Sequence, residues 1–429
     1  MYGTVQFSHG NTQVGIQMTT PDVLAIIAVP LTAIAILPGT LGILMLTNRI
    51  AASPAGARYI YFQSGALVVL ALALLAFAGY RDALDGAYSG PVIGSMVAVV
   101  LLLIYGFLMH AKMLFRPVRE PVFVSTDEAL EKFGPDEEVV GVIDGEGKPY
   151  AFIARLARRP HIVYQSEGDA PFIMTHCILA HSSMSYALEG NFSNPDITIT
   201  AALANNMVFY EKSNRCSVVQ IHNRLEGSNA PLSTVPTVMT SLKTWKKYYP
   251  DSPVWMRPVQ WRDIFYLKLL ARADVIDASS PVMVYPLQHS LDERLPMKSL
   301  VLGLLSGTQS RAYPVGVVAD RKVINDQVAD TQLAIFCVDD YMQVFDRRVD
   351  SDAILTFEKS DKDDCFVDVE TGSVWSATGA CTSGKYEGRQ LSAIPHYNKI
   401  FWYVWSDYFP GGEIFGGATN IENVEASVA

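Results

Sequence analysis

The sequence predicts a membrane protein with three N-terminal transmembrane helices followed by two tandem strand-rich α+β domains. Three observations support this fold class. Positions 1–111 hold only three basic and three acidic side chains, out of 33 and 43 in the whole chain. This front part contains long windows without any charged residue. The rest of the chain is rich in short runs of β-type residues, and several of these runs recur in the same order.

The charge-free windows lie at 23–48, 59–80 and 86–111, after an extramembrane segment at 1–22. A bilayer core about 30 Å thick needs roughly 20 apolar residues at about 1.5 Å each, so every window is long enough to be a transmembrane helix. Small residues in these windows allow close helix packing against other subunits or a second copy. They are Gly39, Gly42, Gly65, Gly79, Gly90 and Gly94.

Basic residues next to the windows predict the orientation, because cytoplasmic loops are enriched in Lys and Arg. One predicted side of the membrane has five such residues and the other has one. The five are Arg49, Arg58, Lys112, Arg116 and Arg119, and the one is Arg81. We therefore expect a multi-pass protein of the plasma (inner) membrane with cytoplasmic C-terminal domains. The alternative is that these domains are periplasmic or extracellular.

Charge and cysteine content restrict the function further. The net charge of −10 argues against a nucleic-acid partner, because binding to phosphates requires a basic surface. Five cysteines, an odd number in a long chain, indicate reduced thiols rather than a disulfide framework.

An internal repeat defines the two predicted domains, at 137–256 and 300–415. Four blocks recur in the same order at a spacing of about 160 residues. Val140–Gly145 matches Leu302–Gly307, Phe172–Cys177 matches Leu333–Cys337, Leu232–Pro236 matches Leu391–Pro395, and Trp245, Tyr248 and Pro250 match Trp405, Tyr408 and Pro410. This alignment makes Cys177 and Cys337 equivalent.

Three further segments connect or follow the repeats. The linker 112–136 contains a short helix that Ser125 caps and that Gly134 ends. The connecting segment 257–299 contains a helix from Trp261 onward, because its apolar residues have helical spacing. Residues 416–429 form a tail.

The second repeat resembles the DUF3179 family of uncharacterised bacterial and archaeal domains. The residues that carry the resemblance are Arg311–Pro314, Val323–Asp326, Cys337, Thr371–Trp375, Gly379, Leu391, Trp405 and Pro410. The first repeat resembles the family more loosely, through Ile162, Val163, Cys177, Trp245, Tyr248 and Pro250. The resemblance implies an architecture and no mechanism.

Both repeats depart from motifs that are usual in this family. Ala180 and Asp340 occupy the second cysteine of its Cys-Pro-Leu-Cys motif. Arg321 and Lys322 replace its His-Glu pair in the second repeat. These departures favour binding or assembly over catalytic turnover.

The first repeat also contains a candidate metal site. Cys177, His181, His176 and Met184 lie within nine positions, and thiolate, imidazole and thioether are the ligand types of copper sites. Cys177 and His181 are four residues apart, which predicts that they share a face of a helix or a strand. The competing interpretation is a packed thiol beside hydrogen-bonded histidines.

Three functions follow as hypotheses. The first is a membrane-anchored accessory or structural subunit of a larger membrane protein complex, embedded in the bilayer and in contact with other subunits or with itself. The second is a redox or metal-handling protein with copper or another metal at Cys177 and His181. The third is a cysteine-dependent hydrolase or transferase with Cys177 as nucleophile. No residue is assigned a catalytic role.

Overall fold

The structure, a computed structural model, divides into two compact units. The N-terminal unit contains Met1–Arg116, Ile197–Leu203 and Val208–Ser217, and the strand-rich domain contains Pro117–Asp196, Ala204–Met207 and the chain from Val218 onward. The residues described are 3–5, 16–40, 53–60, 64–226, 231–269, 275, 277–350, 353–362 and 364–417.

Three helices of the N-terminal unit are long and apolar enough to span a membrane. They are Thr20–Gly39, which ends in a 3₁₀ turn from Leu37, Ser64–Leu84 and Gly90–Met109. The first starts earlier than the charge-free window because Thr19 caps it, with the Thr19 N–H donating to Asp22 at 2.9 Å. The third starts later because Ser89 caps it. Positions 41–48 of the first predicted window, and Gly42 with them, lie outside the described residues.

Small side chains and one polar cluster hold these three helices together. The helices pack through Ala25, Ala28, Ala71, Ala78 and Val92. At one end of the bundle, Ser89 donates its hydroxyl to Asp22 and its N–H to Asp82, the latter at 2.7 Å. The three helices therefore share one polar cluster at that end. The unit also has two short helices, Pro54–Arg58 and Ala111–Leu114, and a two-stranded antiparallel sheet of Gly3–Val5 and Ile16–Met18.

The first predicted repeat forms two sheets of the strand-rich domain. In spatial order, one contains Thr237–Ser241, Glu138–Ile143, Pro149–Ile153, Val254–Trp255 and Phe123–Val124, and the other contains Thr234–Val235, Ser182–Ala187, Phe172–Cys177 and Ile162–Gln165. A third sheet, most of which belongs to the N-terminal unit, contains Cys216–Val219, Asn206–Glu211 and Ile197–Leu203. The helices are Thr126–Phe133, Ala154–Ala157, Leu242–Tyr248 and Trp261–Leu269, with 3₁₀ turns at Gly190–Phe192 and Gln220–His222. The helix predicted in the 112–136 linker is confirmed, with Ser125 as its cap and Gly134 at its end.

The second predicted repeat forms four sheets. In spatial order, the first sheet contains Tyr397–Phe401, Leu300–Ser306, Gln309–Pro314 and Glu413–Ile414. The second contains Val323–Val328, Thr331–Val338 and Tyr341–Asp346, and the third contains Arg348–Asp350 and Ala353–Ile354. The fourth contains Phe357–Lys359, Cys365–Asp368, Val374–Ser376 and Cys381–Ser383. The helices are Val315–Arg321 and Trp402–Tyr408.

The first sheet of each repeat has the same strand order and strand directions. A central antiparallel hairpin, Glu138–Ile143 with Pro149–Ile153, has an antiparallel neighbour on one side and a parallel one on the other. The hairpin Leu300–Ser306 with Gln309–Pro314 has the same neighbours. In both sheets the hairpin glycine, Gly141 or Gly303, lies against a buried tryptophan ring that would overlap any Cβ there. The rings are Trp245 and Trp405.

Strand register corrects one part of the repeat alignment. Ile162 pairs with Thr175, and Val323 pairs with Phe336. The next N–H along each strand donates to the carbonyl oxygen of the positive-φ residue that precedes the partner strand: that of His176 to His161, and that of Cys337 to Lys322, both at 2.8 Å. Cys337 therefore occupies the position of His176. The predicted equivalence of Cys177 and Cys337 is therefore wrong by one residue. Similarity along the chain does not fix the register, which depends on hydrogen bonds between strands.

The two repeats pack into one domain with a shared core. One hydrophobic cluster includes Phe172 and Trp245 from the first repeat together with Phe336 and Trp375 from the second. Strand Thr237–Ser241 contacts strand Tyr341–Asp346 of the second predicted repeat, and strand Tyr397–Phe401 contacts strand Ser182–Ala187 of the first. Such reciprocal contacts are what a two-fold relation between copies produces. They support the proposal of two copies, which stays a prediction.

Candidate functional site

The predicted metal-site residues lie on one hairpin of the first repeat. Strands Phe172–Cys177 and Ser182–Ala187 pair with Cys177 opposite Ser182, and His181 is in the connecting turn. Side chains alternate between the two faces of a strand, so His176 and Cys177 point to opposite sides. His181 has a left-handed backbone conformation with φ of 48°. The chain reverses there, so the even spacing between Cys177 and His181 does not place them on one face.

The face with Cys177 is a packed interior. The thiol is buried, and its Sγ lies 3.7 Å from the carbonyl oxygen of Asn205, to which it donates. Burial raises the pKa of Cys177 to about 11, so the group is a neutral thiol at neutral pH. A nucleophilic or metal-binding cysteine needs the opposite shift, toward the thiolate. Met184 is buried on this face too, opposite Thr175, whose hydroxyl donates to the Met184 carbonyl at 2.8 Å.

The other face brings the two histidines together with a glutamate that the sequence did not single out. The rings of His176 and His181 are 6.4 Å apart between centroids. His181 Nδ1–H donates to the carbonyl oxygen of Lys399 at 2.8 Å, and its Nε2 lies 3.3 Å from Glu138 Oε2. His176 Nδ1 shares a hydrogen bond of 2.9 Å with the Ser183 hydroxyl. The structure thus separates the predicted set into Cys177 with Met184 and His176 with His181.

These groups line a cavity of about 220 Å³. Glu138 is the first residue of its strand, and Arg155 and Arg158 come from the helix Ala154–Ala157 and its C-terminal end. Ile178, from the hairpin turn, contributes apolar surface. Glu138 and Arg158 have no sequence signal, because they lie far upstream of the histidines and in different elements.

The cavity contains an ion pair between two oppositely shifted groups. Burial favours the neutral form of Glu138, but His181 and then Lys399 outweigh this effect and lower the pKa of Glu138 to about 2. Burial likewise opposes the charge on His181, and Glu138 overcomes it and raises the pKa of His181. Burial and the neighbouring His181 lower the pKa of His176 to about 3, so His176 is neutral. The cavity can therefore supply one charged and one neutral imidazole.

The two altered family positions both contact the opposite repeat. The Asp340 carboxylate accepts the Ser241 N–H at 2.6 Å and the Thr240 hydroxyl at 2.8 Å. The Ala180 carbonyl accepts the Phe401 N–H at 3.0 Å. Both positions therefore hold the two repeats together, which is a structural role.

Within the described residues, no three His, Cys, Asp or Glu side chains are grouped so that they would hold a metal ion. All five cysteines are free thiols. Copper binding at Cys177, His181, His176 and Met184, and catalysis by Cys177, remain predictions.

The comparisons with known proteins agree with the resemblance seen in the sequence. The model of the family described as "Protein of unknown function (DUF3179)" matches residues 116–412 in one span, which is more than half of the chain. No curated protein and no solved structure matches the chain significantly. The chain therefore belongs to the DUF3179 family.

Proposed function

We propose that this chain is a membrane-anchored accessory or structural subunit of a larger membrane protein complex. The proposal rests on the helix Gly90–Met109, where Gly90 and Gly94 are exposed one turn apart. A Cβ at either glycine meets no atom within 4 Å, so both leave open space on the helix surface. Small residues four apart allow the backbone of another helix to approach closely in a bilayer.

Other glycines of this unit have a different role. A Cβ at Gly39 would overlap the His110 ring, one at Gly106 would overlap Ile36, and one at Gly79 would lie 2.7 Å from Met96. These three glycines therefore make room for packing inside the unit. Gly65, like Gly90 and Gly94, has open space around it. Only the second group is available for lateral contacts.

The number of helices supports the same proposal. One transmembrane helix already anchors a protein almost irreversibly. Three helices, with large apolar side chains such as Ile93, Val97 and Leu101 exposed beside the glycines, provide surface both for lipid and for other subunits or a second copy. We propose the plasma membrane as the location, with the strand-rich domain on the cytoplasmic side.

The test is solubilisation in a mild detergent followed by native mass measurement. We expect the wild-type chain in a stoichiometric complex, and we expect Gly94→Leu to release it, because the added side chain fills the open surface. Ile93→Leu, at the neighbouring exposed position, is the matched control and should leave the complex intact. Unchanged thermal unfolding of the strand-rich domain would show that the variants are folded. A wild-type chain recovered as a monodisperse monomer would contradict the proposal.

A further inference from the structure

Four arginines lie close together beside the candidate site, and one of them is unpaired. Arg155 pairs with Glu137 at 3.1 Å, while Arg159 and Arg257 both pair with Asp263. The guanidinium of Arg158 has no hydrogen bond or ion pair with any residue that the structure describes, although this side chain is half-buried. A guanidinium stays charged in a protein.

Burial lowers the pKa of the Arg158 guanidinium, and the negative charges of Glu138 and Glu137 offset only part of this effect. Neither acid is a close partner of Arg158, because each acid nearby forms an ion pair with another cation. Asp136 pairs with Lys243 at 2.7 Å, Glu137 pairs with Arg155, and Glu138 pairs with His181. Asp263 is shared by Arg159 and Arg257, so positive charges outnumber negative ones at this place even before Arg158 is counted. A carboxylate bound at Arg158 would give this guanidinium a close partner of its own.

The two cavities that Arg158 lines limit the size and polarity of a ligand that could bind there. Arg158 and Arg155 line both the polar cavity of about 220 Å³ described above and a second cavity of about 190 Å³. The second cavity has mainly apolar walls, with Phe133, Leu156 and Tyr266 among them. It is smaller than the roughly 300–1,000 Å³ of sites for drug-sized molecules. A short apolar group fits there beside a charged group at Arg158.

We propose that Arg158 binds the carboxylate of a small organic monoanion whose apolar body occupies the cavity lined by Phe133, Leu156 and Tyr266. The planar guanidinium matches a carboxylate through two parallel hydrogen bonds. A doubly charged phosphate is disfavoured, because Glu138 lies in the adjoining cavity and keeps its negative charge. This inference does not depend on the subunit proposal, because the site lies within the strand-rich domain.

The test uses the purified full-length protein in a non-ionic detergent, with calorimetric titration of four probes. Hexanoate has both the charge and the apolar body, acetate only the charge, hexanamide only the body, and inorganic phosphate the wrong charge. We expect saturable binding of hexanoate, binding of acetate weakened by about tenfold or more because the methylene groups are missing, and no binding of hexanamide or phosphate. Equal binding of hexanoate and hexanamide, or no binding of hexanoate, would overturn the proposal.

Substitutions at Arg158 test whether this guanidinium is responsible for the binding. Arg158→Gln should weaken hexanoate binding about 10–100-fold, which is the range for hydrogen bonds to a charged group. Arg158→Lys keeps the charge and loses the paired hydrogen bonds, so we expect an intermediate loss. Arg119→Lys is the matched control and should bind hexanoate like the wild type, because Arg119 pairs with Asp196 at 2.8 Å and lines neither cavity.

The stability of the ligand-free variants distinguishes binding from a structural role. Because Arg158 has no partner in the described structure, Arg158→Gln should unfold at the same temperature as the wild type or higher when no probe is present. A lowered unfolding temperature together with lost binding would mean that Arg158 supports the fold, and the proposal would be wrong.

Discussion

At the scale of single residues, the ion pair of Glu138 and His181 makes the stability of the strand-rich domain depend on pH. The pKa of Glu138 falls from 4.5 to about 2, so its contribution is present above about pH 4.5 and is lost as the pH falls through its folded pKa. The pKa of His181 is raised from 6.5, so its contribution is complete below about pH 6.5 and is lost as the pH rises through its folded pKa. Both contributions to stability are therefore complete between about pH 4.5 and about pH 6.5.

We therefore expect Glu138→Gln to destabilise the domain more at about pH 6 than at about pH 9. Glu138 keeps 35% of its side chain exposed, so the loss at the lower pH should be about 1–2 kcal/mol, between the values for exposed and buried pairs. The measurement is chemical denaturation of variant and wild type at both pH values. Taking the difference removes most of the effect of His161 and His176, whose pKa values burial lowers in both proteins.

Glu137→Gln is the control for this experiment. Glu137 pairs with Arg155, so this ion pair contains no histidine. Its difference from the wild type should therefore be the same at about pH 6 and about pH 9. An equal pH response of the two variants would show that Glu138 and His181 do not form the ion pair.

Cysteine reactivity provides a second prediction at this scale. Cys177 and Cys337 are buried, and burial raises the pKa of each to about 11, whereas Cys365 is partly exposed. Since the thiolate is the reactive form, we expect iodoacetamide at neutral pH to modify Cys365 well before the other two. Peptide mass mapping of the folded protein over time measures the order. Rapid modification of Cys177 would instead favour its proposed role as a nucleophile.

At the scale of secondary-structure elements, each repeat has a hairpin that a helix tryptophan covers. Gly141 and Gly303 leave room for the rings of Trp245 and Trp405, and these rings are fully buried. The tryptophan ring explains why a glycine is present at this position of each hairpin, because any side chain there would overlap the ring. The same pair of residues in both repeats is the strongest structural sign that the repeats are related.

We expect Gly141→Ala and Gly303→Ala to destabilise the domain by similar amounts, about 1–3 kcal/mol each, because overpacking of a core costs this much. Gly145→Ala is the matched control, since its Cβ meets only the Ala170 methyl at 3.3 Å. Thermal unfolding of the three variants measures the effect. A large loss for one of the two core variants and none for the other would contradict the repeat.

At the scale of the whole molecule, the distribution of basic residues predicts the side of the membrane on which the strand-rich domain lies. The bias of five basic residues against one predicts the cytoplasmic side. A reporter fused after Ala429 should then be active only if it is of a type that functions in the cytoplasm. Labelling of Cys365 by a membrane-impermeant thiol reagent in intact cells would show the opposite orientation.

The sequence by itself determined those features that depend on nearest neighbours and local composition. Three charge-free windows identified the three long apolar helices, because helix length and hydropathy are properties of consecutive residues. Ser125 and Gly134 marked the ends of a short helix, because capping acts over three or four residues. The family was recognised from motifs that survive as short runs.

Only the tertiary structure decided which side chains of the candidate site lie close together. Glu138 and His181 come from separate elements of the first predicted repeat, and Lys399 contacts both of them from the second. The spacing of Cys177 and His181 was misleading for a physical reason: it assumed a continuous strand or helix, whereas a left-handed residue turns the chain between the two strands. Likewise, the equivalence of His176 and Cys337 depends on hydrogen-bond register, which is set across strands and is not visible along the chain.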